Sequence, residues 1–337
     1  MNSYSECIEG KCRCLICPHM CLINKGSAGI CGVRENRDGS SVTLAAYGLV
    51  SGYAADPIEK KPLYHFFPGS RILSVGSYGC NLRCDFCQNY SISSSFSMPG
   101  GPVKTPDVIV RDALTLSKNA GIAFTYNEPV VWIEYMTDIA QLARENNLKT
   151  AMISNGYINA GPLNDLIPLI DAFNIDLKFF SNESYRKYTG ASLEPVKSSI
   201  AAIAGSGRHL EITTLVIPGL NDQEEEIAAI AGWIASECGR DTPFHLSRYH
   251  PSYKRSTPAT PAETLASLHR VASGILSFVY AGNAPSLDLS DTICPGCGSR
   301  VTSRSGYETV HLNIDENGKC GKCGREIYRP ANFSSAC

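Results

Sequence analysis

Gly79-Cys80-Asn81-Leu82-Arg83-Cys84-Asp85-Phe86-Cys87 places three cysteines in a Cys-x3-Cys-x2-Cys spacing, directly after an apolar run at 72–75. An aromatic residue, Phe86, precedes the last of them. Three closely spaced thiolates hold three irons of a four-iron, four-sulfur (4Fe-4S) cube. The fourth iron then has no ligand within the motif. An electron carrier normally supplies four cysteines. An open iron serves an enzyme whose cofactor binds the cluster directly. The competing reading is zinc, but zinc prefers four ligands in paired Cys-x2-Cys knuckles, and here the gaps are unequal.

Downstream of the motif, strand and helix patterns alternate. Strands are predicted at 72–75, 122–126, 150–154, 172–177, 209–217 and 244–248, with a short seventh at 277–280. Helices are predicted at 106–119, 130–146, 162–170, 183–188, 196–204, 222–237 and 261–273. Repeated β-then-α units imply an α/β fold with a parallel sheet and helices outside it. Polar and special residues gather at the C-terminal end of nearly every strand. They are the cluster loop, then Asn127-Glu128, Ser154-Asn155-Gly156, Asp176 with Lys178, Pro218-Gly219, and Arg248 with His250. Barrel enzymes place their chemistry at that mouth, so a partial barrel is expected over a doubly wound sheet. Glu128 is positioned there to accept hydrogen bonds from an ammonium. Asn221 or Asp222 is expected to cap the helix that follows Val216-Ile217-Pro218-Gly219.

The 337 residues suffice for one large domain with small appendages. The expected division is a Cys-rich N-terminal segment at 1–68, a barrel at 69–283 and a small domain at 284–337. Apolar residues make up 43 %, and 30 Lys+Arg nearly balance 32 Asp+Glu. No global basic field therefore argues for nucleic acid. No apolar run approaches membrane-spanning length, and residues 1–11 lack a signal-peptide core. A cytoplasmic protein without a membrane partner is expected. The fifteen cysteines fall into clumps with metal-ligand spacing, which fits a reducing compartment. A cube with an accessible open iron is oxygen-sensitive, so the setting is expected to be anaerobic. Residues 91–101, rich in Ser and Gly, read as a loop after the cluster.

Two further cysteine groups stand at the ends. Cys294-Pro295-Gly296-Cys297-Gly298 and Cys320-Gly321-Lys322-Cys323-Gly324 are paired knuckles, each with a glycine that lets the backbone turn around a metal. They predict a closed four-thiolate zinc ribbon, with a rubredoxin-like iron site as the runner-up. So small a segment depends on metal for its folding free energy. Near the N-terminus Cys14, Cys17, Cys21 and Cys31 predict a second metal site, either zinc or an auxiliary iron–sulfur cluster. Cys7 and Cys12 read as extra free thiols.

The Cys80–Cys84–Cys87 motif resembles that of the radical S-adenosylmethionine (SAM) enzymes, whose core is a partial (β/α)6 barrel. The resemblance implies that SAM chelates the open iron through its methionyl amino and carboxylate groups. The reduced cluster then cleaves the sulfur–C5′ bond, and the 5′-deoxyadenosyl radical abstracts a hydrogen. Tyr126-Asn127-Glu128 aligns with the family's Gly-Gly-Glu element, two glycines being replaced. Asp176, Lys178 and His250 match positions that lie against SAM in related activating enzymes. Ser154-Asn155-Gly156 reads by itself as an Asn-Gly turn, but in this context the Ser154 hydroxyl and the Asn155 amide are expected to contact SAM. His245 reads equally as a core histidine.

Three stretches carry a closer likeness. They are Cys14-Leu15-Ile16-Cys17-Pro18-His19-Met20-Cys21 through Gly29-Ile30-Cys31-Gly32-Val33-Arg34, then Glu59-Lys60-Lys61-Pro62-Leu63-Tyr64-His65-Phe66, and the C-terminal ribbon. Together they resemble the radical SAM component of the AmmeMemoRadiSam system, a branch close to pyruvate formate-lyase activating enzymes. That implies an oxidoreductase fed by a flavodoxin- or ferredoxin-type donor, with AMMECR and Memo domain proteins as partners. Its substrate is then a glycyl residue of a partner protein. The alternatives are another protein, RNA or metabolite as substrate, or a non-catalytic metal-binding adaptor. Activating enzymes with extra clusters carry them just after the SAM motif, whereas here the extra cysteines lie at the two ends.

Overall fold

The computed structural model describes residues 4–94, 97–98, 103–284, 286–330 and 333. Part of the predicted 91–101 loop falls outside them. The chain opens with two small antiparallel sheets. The first joins β1 (Ser5–Ile8), β2 (Lys11–Cys14) and β3 (Leu22–Asn24); the second joins β4 (Ser27–Ala28), β5 (Arg34–Asn36) and β6 (Thr43–Leu44). Glu9 and Gly10 both take positive φ, the geometry a two-residue hairpin turn needs. That turn sets Cys7 opposite Cys12, and the two form a disulfide. They are therefore not the free thiols expected from the sequence.

Strand β7 (Gly52–Pro57) runs antiparallel to β8 (Arg71–Gly76). Helices α1 (Tyr90–Ser93) and α2 (Pro106–Thr115) lead to β9 (Asn119–Phe124), and α3 (Ile133–Glu145) to β10 (Lys149–Ser154). Next come α4 (Ala160–Leu166), β11 (Ala172–Asp176), α5 (Asn182–Thr189), α6 (Leu193–Gly205) and β12 (His209–Val216). The last repeats are α7 (Glu224–Glu237), β13 (Phe244–Arg248), α8 (Ala262–Ser273) and β14 (Val279–Gly282). Strands β8 to β14 are parallel and lie in chain order, with β7 on one edge. The edges β7 and β14 do not pair, so the sheet is open. The predicted α/β class and each predicted strand are present.

Helices cover this sheet, so its strands are buried almost throughout, as β12 is along seven of its eight residues. Local signals account for several boundaries. Ser181 caps α5 by accepting from the Ser184 N–H, and Gly190 ends that helix in the left-handed region at φ +73°. Three glutamates occupy the first turn of α7, where the dipole favours them. Neither Asn221 nor Asp222 caps α7, contrary to expectation. Asn221 accepts from the Ile217 N–H (2.7 Å) and donates to the Lys178 carbonyl (2.8 Å), while Asp222 accepts from the Gly219 N–H (3.0 Å). Both carboxamide and carboxylate are consumed in holding the Pro218-Gly219 turn.

The C-terminal residues form β15 (Thr292–Ile293), β16 (Arg300–Ser305) and β17 (Glu308–His311), an antiparallel sheet. It docks near the N-terminal ends of β12 and β13 through a buried polar network centred on Glu211. That carboxylate is fully buried and accepts from His209 Nε2 (2.8 Å), His245 Nε2 (2.6 Å) and the N–H groups of Tyr64 (3.0 Å) and His65 (2.7 Å). His245 is thus a core histidine. His65 reaches the Tyr280 hydroxyl (2.5 Å) and the Ile327 carbonyl (3.0 Å), and Arg304 donates to Thr292 Oγ1 (2.8 Å) and the Tyr64 carbonyl (3.0 Å). The stretch 59–66 therefore clamps sheet and C-terminal segment together.

Burial alone would raise the Glu211 pKa, but its two imidazole donors hold it well below the ordinary carboxylate value. Its contribution to stability is therefore present above the unfolded carboxylate pKa and is lost as pH falls below it. Glu211→Ala strands four donors and is expected to destabilise the protein by about 3–5 kcal/mol. Urea unfolding followed by circular dichroism should show that loss at pH 7 and a smaller difference at strongly acid pH.

Candidate active site at the strand ends

The loop from Ser77 to Asn89 follows β8 and is tied to its neighbours on several sides. Asn127, just past β9, accepts from the Ser77 N–H (3.0 Å) and donates to the Gly79 carbonyl (2.8 Å). The Arg83 N–H donates to the Thr189 carbonyl at the end of α5 (2.7 Å). Beyond β13, Arg255 makes a two-pronged bond to Asp85 (3.2 and 2.6 Å), and Ser252 donates to the Cys87 carbonyl (3.1 Å). The loop is therefore fixed by its backbone and by Asp85, which leaves its thiols free to act as ligands. Cys80 Sγ receives the Leu82 N–H (3.3 Å) and approaches Asn155 Nδ2 (3.7 Å).

Cys80, Cys84 and Cys87 lie near enough to perturb one another electrostatically. Among the described residues, however, their Sγ atoms do not form a group all within 4.8 Å of one another. Ligands of one tetrahedral ion lie closer together than that, whereas thiolates on the iron corners of a cluster are spaced more widely. Desolvation raises the Cys84 thiol to about 12, with the Lys178 charge opposing it. Metal binding is what draws the proton from such a thiol.

Glu128 follows β9 and is 2 % exposed. Its Oε1 accepts from Ser154 Oγ (2.7 Å) and the Val130 N–H (3.1 Å), and its Oε2 from the Asn155 N–H (2.8 Å). Burial nevertheless pushes it up to about 7. No ammonium or guanidinium among the described residues pairs with it. A buried carboxylate already braced by three donors but lacking a cation is a fitting receptor for an amino group.

Tyr126 shows how the altered glycines are tolerated. It adopts φ +71°, a left-handed conformation that glycine takes at no steric cost. The tyrosine is held there by its hydroxyl, which donates to Asp56 Oδ2 (2.7 Å), and by Lys61 Nζ 4.5 Å from its ring centre. Lys61 in turn pairs with Asp56 at 2.7 Å. Gly52 and Gly76 make room, because a Cβ on either would sit 2.5 or 2.8 Å from the Tyr126 ring. The side chains of Tyr126 and Asn127 are thus committed to the scaffold, and Glu128 alone of the triplet presents an unpaired charge.

Ser154 and Asn155 end β10 and serve Glu128 directly. Asn155 Nδ2 also donates to Asn81 Oδ1 (2.9 Å) inside the cluster loop. At the end of β11, Lys178 donates to Asp176 at 2.7 Å. Burial would lower the lysine, but Asp176 and Cys84 outweigh it and raise its pKa, so it stays charged beside the thiols. His250 lies past β13, exposed and without a hydrogen bond among the described residues. Four strand ends, those of β8 to β11, and their loops thus bring Cys80, Cys84, Glu128, Ser154, Asn155 and Lys178 together. Asn81, Asp56, Lys61 and Arg255 were not singled out from the sequence. Lys61 lies within the 59–66 stretch and Asp56 just before it, and nothing local marks either as a support of Tyr126.

The four C-terminal thiols all lie within 4.8 Å of one another. Cys294 and Cys323 are 3.5 Å apart, and Cys297 and Cys320 3.6 Å. A zinc tetrahedron with bonds of about 2.3 Å has edges of about 3.8 Å. Gly298 (φ +72°) and Gly324 (φ +75°) send their N–H groups back to the Cys294 and Cys320 carbonyls, one turn per knuckle. At the other end of the chain, Cys14, Cys17, Cys21 and Cys31 line one cavity.

Removing Asp56 leaves Lys61, 3 % exposed, without its counter-charge. Asp56→Ala is expected to cost about 3–5 kcal/mol by chemical denaturation, and much less on a Lys61→Met background. Equal losses in both backgrounds would show that the ion pair does not hold Tyr126 in place.

Residues 74–231 match the family model described as "Radical SAM superfamily". An uncharacterized protein of Methanocaldococcus jannaschii is 40 % identical over 329 residues, which cover 96 % of this chain and 97 % of that protein. Pyruvate formate-lyase-activating enzyme of Clostridium pasteurianum is 26 % identical over 172 residues, 50 % of this chain and 70 % of that protein. The 4-hydroxyphenylacetate decarboxylase activating enzyme of Clostridioides difficile is 27 % identical over 154 residues, 44 % of this chain and 48 % of that enzyme. Among solved structures, a radical SAM methyltransferase from Sphaerobacter thermophilus shares the fold at a TM-score of 0.51. Its identity is 15 %, over 69 % of this chain and 71 % of that chain.

Proposed function

We propose that this chain, which belongs to the radical SAM superfamily, holds a 4Fe-4S cluster on Cys80, Cys84 and Cys87 and cleaves SAM to start radical chemistry on a substrate. The observation that carries this reading is the buried, cation-less Glu128 beside three thiols spread too widely for one ion. Once bound, the cluster supplies one electron to the SAM sulfonium, yielding methionine and a 5′-deoxyadenosyl radical that takes a hydrogen from substrate.

The protein's own groups bind and orient. Glu128, held by Ser154 and the Asn155 N–H, accepts from the methionyl ammonium. Lys178 stands beside Cys84 as a fixed positive charge, and Asp176 orients it. Asn155 sets the spacing between the Glu128 support and the cluster loop through Asn81 and Cys80. His250, at the open mouth, contacts SAM or its substrate. Tyr126 and Asn127 act through the scaffold, by holding the strand end and the loop.

The substrate we infer is a glycyl residue of a partner protein, on the likeness to activating enzymes, with an electron donor of flavodoxin or ferredoxin type. The matching cysteine-rich ends support membership of the AmmeMemoRadiSam branch, with AMMECR and Memo domain partners. A different protein, an RNA or a metabolite is the second reading of the substrate, since the extra cysteines lie at both ends. We read 1–68, 69–283 and 284–337 as its three units, the last organised by zinc. No helix among the described residues is long and apolar enough to cross a membrane.

Anaerobically reconstituted protein given dithionite and SAM is expected to release 5′-deoxyadenosine, and Cys84→Ala to release none. Product undiminished in that variant would sink the reading. Glu128→Gln is expected to weaken SAM binding by about ten- to a hundredfold, as loss of a charge-assisted bond implies. In the wild type the ammonium needs the ionised carboxylate, so affinity should fall as pH drops below about 7. Isothermal titration between pH 6 and 8.5 checks this, and a flat profile in the wild type would remove Glu128 from the SAM site.

A further inference from the structure

We infer that Cys14, Cys17, Cys21 and Cys31 hold a second iron–sulfur cluster, which passes electrons to the cluster on Cys80, Cys84 and Cys87. The relay rests on the function proposed above; the content of the N-terminal site does not.

Two four-cysteine groups in one chain make the comparison. The C-terminal thiols close on one another, all within 4.8 Å, as ligands of a single ion do. The N-terminal four do not form such a group, yet they line a common cavity with His19, Asn81 and Arg34. Four thiols set more widely than the ligands of a single ion match the corners of a sulfide-bridged iron cluster.

Arg34 supplies a second, independent observation. It is 2 % exposed and pairs with Glu134 through Nη1 at 2.5 Å, but its Nε finds no partner. A buried N–H left unpaired is unusual. In a cavity walled by sulfur, a thiolate or bridging sulfide is the acceptor that satisfies it, and the guanidinium offsets the cluster's negative charge.

The position of the cavity argues for its role. Asn81, which lines it, lies between Cys80 and Cys84 in sequence. His19 Nε2 is 2.8 Å from the Asn81 carbonyl. Asn155 Nδ2 bonds Asn81 Oδ1 at 2.9 Å and stands 3.7 Å from Cys80 Sγ. On the other side, a Cβ on Gly79 would meet the Cys31 carbonyl at 2.6 Å, so the backbone bearing Cys31 rests on the residue before Cys80. Gly79 also takes φ +84°, a second reason for glycine there. The two thiol groups are thus joined by direct packing, and electron tunnelling favours such short paths. One electron passes from a reduced flavodoxin- or ferredoxin-type carrier to the N-terminal cluster and from there to the catalytic cluster. No bond is made or broken, and the N-terminal cluster returns to its oxidised state.

The test uses the full chain reconstituted without oxygen. Wild type should contain about eight irons and about one zinc; about four irons with about two zincs overturns the cluster. Cys14→Ser with Cys21→Ser should lose about four irons and keep the zinc. In the reduced state it should keep the paramagnetic signal that SAM perturbs and lose the one that SAM does not touch. Should that variant fail to fold, Cys17→Ser leaves three ligands and is expected to show a three-iron signal when oxidised. Absence of that signal counts against the assignment. For the relay, 5′-deoxyadenosine formation with reduced flavodoxin should fall about tenfold further in the variant than formation with dithionite. Equal losses with both reductants overturn it. Wild type with eight irons but no 5′-deoxyadenosine would refute the radical reading and leave the second cluster standing.

Discussion

The loop bearing Cys80, Cys84 and Cys87 has to be fixed without using up its three thiols, and much of the surrounding structure serves that constraint. The loop that carries them buries Leu82 and Phe86, but its backbone is fixed by bonds to other elements. It is pinned by Asn127 from β9, by the end of α5 and by the Arg255–Asp85 pair beyond β13. Those supports stand at the carboxyl ends of separate strands, so only the assembled sheet brings them to one loop. The same sheet delivers Glu128, whose charge is buried and unmatched. A group that is costly when isolated becomes favourable once an ammonium arrives, which makes the mouth receptive rather than inert.

Much of this was legible in the sequence because it depends on local pattern. Alternating apolar runs and helical periodicity located every parallel strand, since strands buried on both faces leave continuous apolar stretches. The cluster loop and both zinc-type knuckles were read from spacing, because a metal imposes its geometry over a few residues. What stayed hidden is non-local. Tyr126 at a left-handed position gives no warning in sequence, because its stability comes from Asp56, Lys61 and the two glycines beneath its ring. Asn221 and Asp222 look like caps but are drawn into a turn. Cys7 and Cys12 look like spare thiols until a two-residue hairpin sets them face to face. The stretch 59–66 was visible as a family mark, yet its work at Glu211 needs strands that lie some hundred and fifty residues further on.

The two cysteine-rich ends occupy opposite ends of the sheet. The C-terminal segment meets the turns before β12 and β13: Arg329 bonds the Gly207 carbonyl (3.1 Å) and Arg325 bonds Asp241 (2.9 Å). The N-terminal thiols lie against the loop bearing Cys80 instead. One end therefore braces the closed side of the sheet, while the other borders the mouth. A macromolecular substrate approaching the open side would meet the N-terminal segment and the loop bearing Tyr253 and Lys254. The four C-terminal thiols would lie on the far side of the sheet from that approach.

The central claim is direct attachment of SAM to the open corner of the cluster, with Glu128 receiving its ammonium. The most direct measurement is electron–nuclear double resonance on the reduced protein loaded with SAM labelled with nitrogen-15 in the amino group and oxygen-17 in the carboxylate. The account predicts hyperfine coupling of both labels to the cluster spin. A cluster signal with neither coupling, from protein shown to bind SAM, would contradict it.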